Sequence, residues 1–339
     1  MHDSPAHAAP GVHAHAANLD RTSRKKLVAG IAVGFLAAGI GALYTVFARL
    51  GIAHGLASSD MTFLRFGVAG VVTLPLLIHY LRRDAARIFA QWRIWLAIVL
   101  LAGPLFGLLM FTAFQFAPVS HAAVFPFSAM SVMGTVLAAR YLGDRLTLRK
   151  VVGIGLVIGG LFLLSGLDRA SLEPRALVGD LMFILAGALW AGFGILLRRF
   201  KLAPLLATAM VSFFALATYV PIYLAATGGT RLLAAQPSLV LVEVLVQGVI
   251  AGAGTLYTYA KTVELLGAAR AAVFPALAPG MAALLAWPVL GHIPGIFETL
   301  GLFVAIVGLL ISVTQRSPSR IDAHNVLQPV AGSVASEAR

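Results

Sequence analysis

"HAAVFP" fills residues 121–126 and "RAAVFP" fills residues 270–275, an offset of 149. In a chain rich in Ala, Val and Leu, five shared letters mean something only if other places repeat at a similar offset. They do. "GALY" at 41–44 pairs with "GALW" at 187–190, an offset of 146, and at the same offset Thr62 meets Thr208 and Pro75 meets Pro221. Leu142-Gly143 meets Leu290-Gly291, and Gly153 meets Gly301, at 148. The chain is an internal duplication.

What is duplicated follows from composition. Of 339 residues, 60% are hydrophobic and only 11% charged, with a mean hydropathy of +0.92. A soluble domain would carry about one-quarter charged residues to keep its surface wet. Most of this chain must therefore face lipid or other helices. Crossing a bilayer as a helix takes about 20 apolar residues, and such runs lie near 27–48, 61–81, 94–117, 121–142 and 149–167. A second set lies near 177–197, 204–226, 239–260, 270–290 and 296–314. Barrel strands would alternate apolar and polar residues, which these runs do not. The expected fold is an all-α polytopic membrane protein with ten transmembrane helices, five to a repeat. The repeats are 27–167 and 177–314, between tails at 1–26 and 315–339. Both tails are rich in Ala, Pro, Ser and His without periodicity and read as disordered. His2, His7, His13 and His15 have nothing to fix them in a ligand geometry, and neither a metal nor a cofactor is expected.

Lys and Arg give the orientation. One set of loops holds Arg21, Arg24, Lys25 and Lys26, then Arg82, Arg83, Arg87 and Arg93, then Arg140, Arg145, Arg149 and Lys150. It continues through Arg198, Arg199 and Lys201, then Lys261 and Arg270, to Arg316, Arg320 and Arg339, whereas the alternate loops hold only Arg49, Arg169, Arg175 and Arg231. The positive-inside rule places both termini in the cytoplasm. The same asymmetry produces the net charge of +12, so a nucleic-acid partner is not needed to explain it. Five spans per repeat is an odd number, so the second repeat enters the membrane from the opposite side. Inverted-topology repeats of this kind build many secondary transporters. His121 then opens its span from the outer side and Arg270 its counterpart from the inner side, which fits Arg appearing only in the second copy.

The residues resemble the drug/metabolite transporter superfamily in its EamA-type branch. The resemblance lies in ten short helices, in "MTFLRFGVAG" at 61–70 with Arg65, and in "FAPVSHAAVFPFSAMSVMGTVLAARYLGDRLTLRKVVGIGLVIGG" at 116–160. A second copy runs through 267–313. Two departures stand out. The usual Glu after "LG" is Asp144 in one copy and His292 in the other, and Val211 stands where Arg65 would map. The resemblance implies a basket of helices around a cavity that opens alternately to each side. It also implies substrates that are small metabolites such as amino acids or related polar or amphipathic compounds, most often exported across the inner or plasma membrane, with proton coupling compatible with the family. An importer of the same fold, or a channel or receptor, remains as the alternative.

Candidate site residues are few. Arg65 lies within a span, where a charge costs about 2.5–3.5 kcal/mol. A structural or gating role, snorkelling outward beside Asp60, stands against substrate binding. Gln115 and Glu264 are equivalent at an offset of 149; Glu264 has Lys261 three residues away, a spacing that neutralises both. Gln247 lies deep in its span, facing either the cavity or a neighbouring helix. Tyr44 and Trp190 are equivalent and mid-span, where interfacial anchoring does not explain them, and "YTYAK" at 257–261 adds Tyr257 and Tyr259. Aromatic side chains with polar tips suit a cavity that stacks a planar or zwitterionic solute, and core packing accounts for them equally. The substrate cavity is expected at Tyr44, Gln115, Trp190, Gln247 and Tyr257. Pro126 and Pro275 are expected to bend the fourth span of each repeat, and bends at matching places point to a binding site. No G-x-S-x-G, H-E-x-x-H or P-loop motif occurs, so neither catalysis nor ATP-driven pumping is expected.

Overall fold

The first positions of several helices are prolines, whose missing N–H would have no helical partner in any case: Pro104, Pro174, Pro204 and Pro237. At the other end, Gly228 closes a helix in the left-handed conformation at φ 62°, which a Cβ would resist. These signals, with the apolar runs between them, give an array of helices. The computed structural model describes residues 10–117, 119–165, 173–290 and 295–313, and every regular element among them is helical. The first repeat comprises α1 (Pro10–Ala53), α2 (Ser58–Ala90), α3 (Trp92–Ala102), α4 (Pro104–Phe116), α5 (Val119–Leu142) and α6 (Leu148–Ser165). The second comprises α7 (Pro174–Arg199), α8 (Pro204–Thr227), the short α9 (Thr230–Ala234), α10 (Pro237–Glu243), a π-helical segment Val244–Ala253 and α11 (Gly254–Leu266). It ends with α12 (Ala268–Ala271), a 3₁₀ turn Phe274–Leu277, α13 (Ala278–Leu290) and α14 (Ile296–Val313).

Among the described residues, six stretches are long and apolar enough to cross a bilayer: Arg24–Ala53, Ser58–Ala90, Trp92–Phe116, Pro174–Arg199, Pro204–Thr227 and Pro237–Leu266. They fall on six of the ten expected spans, and α5, α6, α13 and α14 lie where the other four are expected. Helix α1 starts at Pro10, inside the stretch read from sequence as an unstructured tail. Once a span has nucleated a helix, adding Ala-rich residues to its end is favourable. His2, His7, His292 and the tail at 315–339 lie outside the described residues.

The packing repeats with the sequence. α1 packs on α11 and α13, and α7 packs on α4 and α5; α2 lies on α8, and α6 lies on α14. Exchanging the two halves maps this pattern onto itself. Glycines show it at atomic scale. A Cβ on Gly153 would lie 2.7 Å from the Gly308 carbonyl oxygen, and one on Gly160 would lie 2.6 Å from that of Gly301. Since Gly153 corresponds to Gly301 and Gly160 to Gly308, this is one contact seen from both sides, and it requires α6 and α14 to run antiparallel. In the same way a Cβ on Gly41 would meet Ala278 at 3.1 Å, and one on its equivalent Gly187 would meet Ala129 at 2.8 Å. Close approach through small residues is the usual means of helix association in lipid, where burial of apolar surface gives no net drive.

Three interruptions break the regularity. The third span of the first repeat breaks between α3 and α4 at Gly103, whose backbone is extended at φ −91°, ψ −150°. Its equivalent at the 149 offset is Gly252, inside the π segment, where the missing Cβ admits the Arg65 carbonyl oxygen. The fourth spans differ from each other: α5 runs unbroken through Pro126, whereas its counterpart divides into α12, the 3₁₀ turn that begins Phe274-Pro275, and α13. Pro279 and Gly280, present only in the second copy, follow that turn.

Candidate substrate cavity

Where the interrupted spans meet the first helices of the two repeats, small residues leave a gap that larger ones line. Ala37 and Gly41 of α1 and Ala278 of α13 supply the space; Tyr44, Arg65, Phe106, Trp190, Tyr259 and Pro275 form much of the wall. The wall draws on α1, α2, α4, α7, α11 and the 3₁₀ turn, so both repeats contribute. The cavity is ≈ 40 Å³, room for about one water molecule, each of which takes about 30 Å³ in the liquid. With Tyr44, Arg65, Phe106, Trp190 and Tyr259 all buried, a metabolite enters only if the lining helices part.

The aromatic wall is a connected cluster. Trp190 is 3% exposed and packs against Phe106 at 4.7 Å, Tyr259 at 5.1 Å and Phe193 at 5.5 Å between ring centroids. Across the gap, the Arg65 guanidinium lies over the Tyr44 ring at 4.6 Å. Tyr44 and Trp190, equivalent in sequence, thus face one cavity from opposite repeats. Tyr259 reaches this place because Gly194 of α7 carries no side chain: a Cβ there would lie 2.7 Å from the Tyr259 hydroxyl.

Arg65 does not snorkel and does not pair with Asp60. It is 2% exposed, because seven residues separate it from the start of α2 at Ser58, about 10 Å at 1.5 Å per residue. Asp60 is engaged elsewhere: its Oδ2 accepts from the Ala57 N–H at 2.7 Å, its Oδ1 accepts from the Tyr223 hydroxyl at 2.7 Å, and Arg231 lies 3.6 Å away. Gln115 is also at that end of the bundle, exposed, donating from Nε2 to the Ser58 hydroxyl at 2.8 Å, and so away from the cavity where the sequence put it. Its equivalent Glu264 accepts from Lys261 at 2.9 Å on the surface of α11. Gln247 is fully buried one layer behind the wall, its Nε2 donating to the Tyr44 carbonyl at 2.9 Å. Tyr257 is half-buried and outside the lining; Tyr259, two residues on, takes that place. Pro275 lines the cavity, while buried Pro126 sits against Gly187 with its carbonyl.

Sequence reading passed over four features. Phe106 follows the break at Gly103 that no motif announces. Glu243, at the junction of α10 and the π segment, is 0% exposed and in none of the ion pairs among the described residues; Gln247 and the Gly51 backbone lie close to its carboxylate, neither in a well-formed hydrogen bond. His121 Nδ1 lies 2.7 Å from Asp180 Oδ1, joining α5 to α7 in a buried pair. At the opposite end of these helices, Arg198 donates to Asp144 Oδ2 at 2.7 Å.

A family model for EamA-like transporters matches residues 28–166 and again 177–314. The chain belongs to the EamA-like transporter family. It is a multi-pass membrane protein and a transporter of small compounds, and the two matched segments are the two repeats found at the 146–149 offsets. EamA-like proteins are transporters rather than enzymes. No curated protein matches the chain. Among solved structures, one known only as "Crystal structure of protein" is similar over 90% of this chain and 99% of that one, with a TM-score of 0.63 at 18% identity. At that identity the likeness extends to the fold alone.

Proposed function

We propose that this EamA-like protein is a secondary transporter that exports small polar or amphipathic metabolites across the inner or plasma membrane by alternating access. It crosses the membrane ten times in two inverted repeats, with both termini cytoplasmic. The observation that carries this reading is the cavity walled by equivalent residues of both repeats, Tyr44 and Trp190, beside interruptions at the equivalent positions Gly103 and Gly252. Broken helices at matching places in two halves are the recurrent setting of transporter sites. The antiparallel α6–α14 contact supports the inversion, and the Lys and Arg asymmetry supports the orientation.

Alternating access needs closures at both ends that can open in turn. The Asp60–Tyr223–Arg231 cluster and the His121–Asp180 pair suit one end, and the Asp144–Arg198 pair suits the other. Coupling to protons fits Glu243. A carboxylate buried without a cation is costly when ionised, so its proton is exchanged when a pathway wets it. Gly51 opposite supports that role, since a Cβ there would lie 3.0 Å from Oε1.

Comparison of metabolite efflux from cells with and without the protein identifies the substrate. In proteoliposomes that substrate then shows saturable transport, accelerated by unlabelled substrate on the far side. Linear, unsaturable flux would overturn the carrier reading in favour of a channel.

A further inference from the structure

A guanidinium in a protein interior is ordinarily matched by a carboxylate or several acceptors. Among the described residues, Arg65 has no carboxylate partner. Its Nη1 has no hydrogen-bond partner. It rests on the faces of Tyr44 at 4.6 Å and Phe66 at 5.9 Å. The same side chain lines the cavity, where the hydroxyls of Thr255 and Tyr259 also have no protein partner. None of its described lining residues is acidic.

We propose that Arg65 is the anion anchor of this cavity, holding the carboxylate of a small organic monoanion whose apolar or aromatic body lies against Phe106, Trp190 and Tyr259. The guanidinium fork matches a carboxylate with two parallel hydrogen bonds, and the surrounding low dielectric strengthens the attraction. A single negative charge is specified because Arg65 is the sole cation among the described lining residues. A dianion would leave one charge unmatched. Tyr44 fits the unloaded state: its ring face partly compensates the cation without supplying a competing anion. The proposal rests on the carrier reading for how the anion leaves, and adds the substrate class.

The full-length protein in detergent is titrated with propanoate, benzoate, phenylacetate and indole-3-acetate, each beside its neutral amide, and ligand binding is followed through the rise in melting temperature. At least one carboxylate binds ten-fold or more tightly than its amide to the natural chain. Arg65→Met abolishes that preference, and Arg65→Lys keeps part of it. No acid-over-amide preference, or one that survives in Arg65→Met, overturns the proposal. Methionine is expected to fold, since it removes a buried charge and retains an apolar stem; should it not, the acid-against-amide comparison on the natural chain decides alone. Proteoliposome flux separates the two readings. Carboxylate binding without flux leaves the anchor standing and sinks the carrier, whereas saturable flux with no preference for acids does the reverse.

Discussion

Replacing Gln247 with leucine separates two demands on one buried amide. Its Nε2 donates to the Tyr44 carbonyl at 2.9 Å, tying the π segment of the second repeat to α1 of the first, while its Oε1 has no partner. Leucine removes that interhelical bond, worth about 0.6 kcal/mol on average and at most about 1.7 in a membrane interior. It also removes an unpaired carbonyl oxygen whose burial costs about 1–3 kcal/mol on protein-derived scales. The two effects oppose each other, and their ranges run from about 0.7 kcal/mol destabilising to about 2.4 kcal/mol stabilising, a shift of a few degrees in melting temperature. Transport is expected to fall at least ten-fold, on the premise that the oxygen left unpaired here gains a partner when the lining helices part. Gln247→Ala loses the same bond and adds a void, so it melts below Gln247→Leu. The assays are melting in detergent and counterflow in proteoliposomes with the substrate from the efflux screen. A leucine variant that unfolds many degrees lower, or that transports at the natural rate, refutes the reasoning.

Gly160→Val and Gly308→Val each destabilise by about 1–3 kcal/mol through overpacking at one symmetric contact, whereas Gly155→Val, whose Cβ meets nothing within 4 Å, stays within about 0.5 kcal/mol; thermal melting of the three checks this. Glu243→Gln, close in shape but unable to ionise, makes transport insensitive to an imposed pH gradient while leaving exchange at equal pH intact, as measured by flux with and without the gradient. Reporter fusions at both termini and near Arg82 and Arg198 report cytoplasmic, and one near Arg169 reports external; a terminus found outside removes both the orientation and the ten-span count.

The repeat was legible because close helix contacts tolerate few residue types. Gly41 and Gly187, or Gly160 and Gly308, persist in both halves where a Cβ would strike a neighbouring helix, so the offsets survive while lipid-facing positions drift. The site was legible only in part. Tyr44 and Trp190 stood out as equivalent and mid-span. Tyr257 and Tyr259 could not be told apart: two residues turn a helix by about 200°, and the π segment ahead of them shifts the phase so that counting from Gln247 misleads. Gln115 misled for another reason, since equivalence to Glu264 identifies two helix ends, and an end meets loops rather than a central cavity. Arg65 looked like an interfacial anchor because the start of α2 at Ser58, not Met61, sets how deep it lies.

The absence of cysteine makes the central claim directly measurable. Ala278→Cys places one thiol in the cavity wall, and Asp144→Cys with Arg198→Cys places two thiols that a short bis-maleimide can bridge across the pair at one end. Membrane-impermeant thiol reagents are applied to each face of oriented vesicles, with that bridge absent or formed. Alternating access predicts that Cys at 278 reacts from both faces when the pair is unbridged and only from the face opposite the lock when it is bridged. Reaction from both faces in the locked protein, or from neither face in the unlocked one, would contradict it.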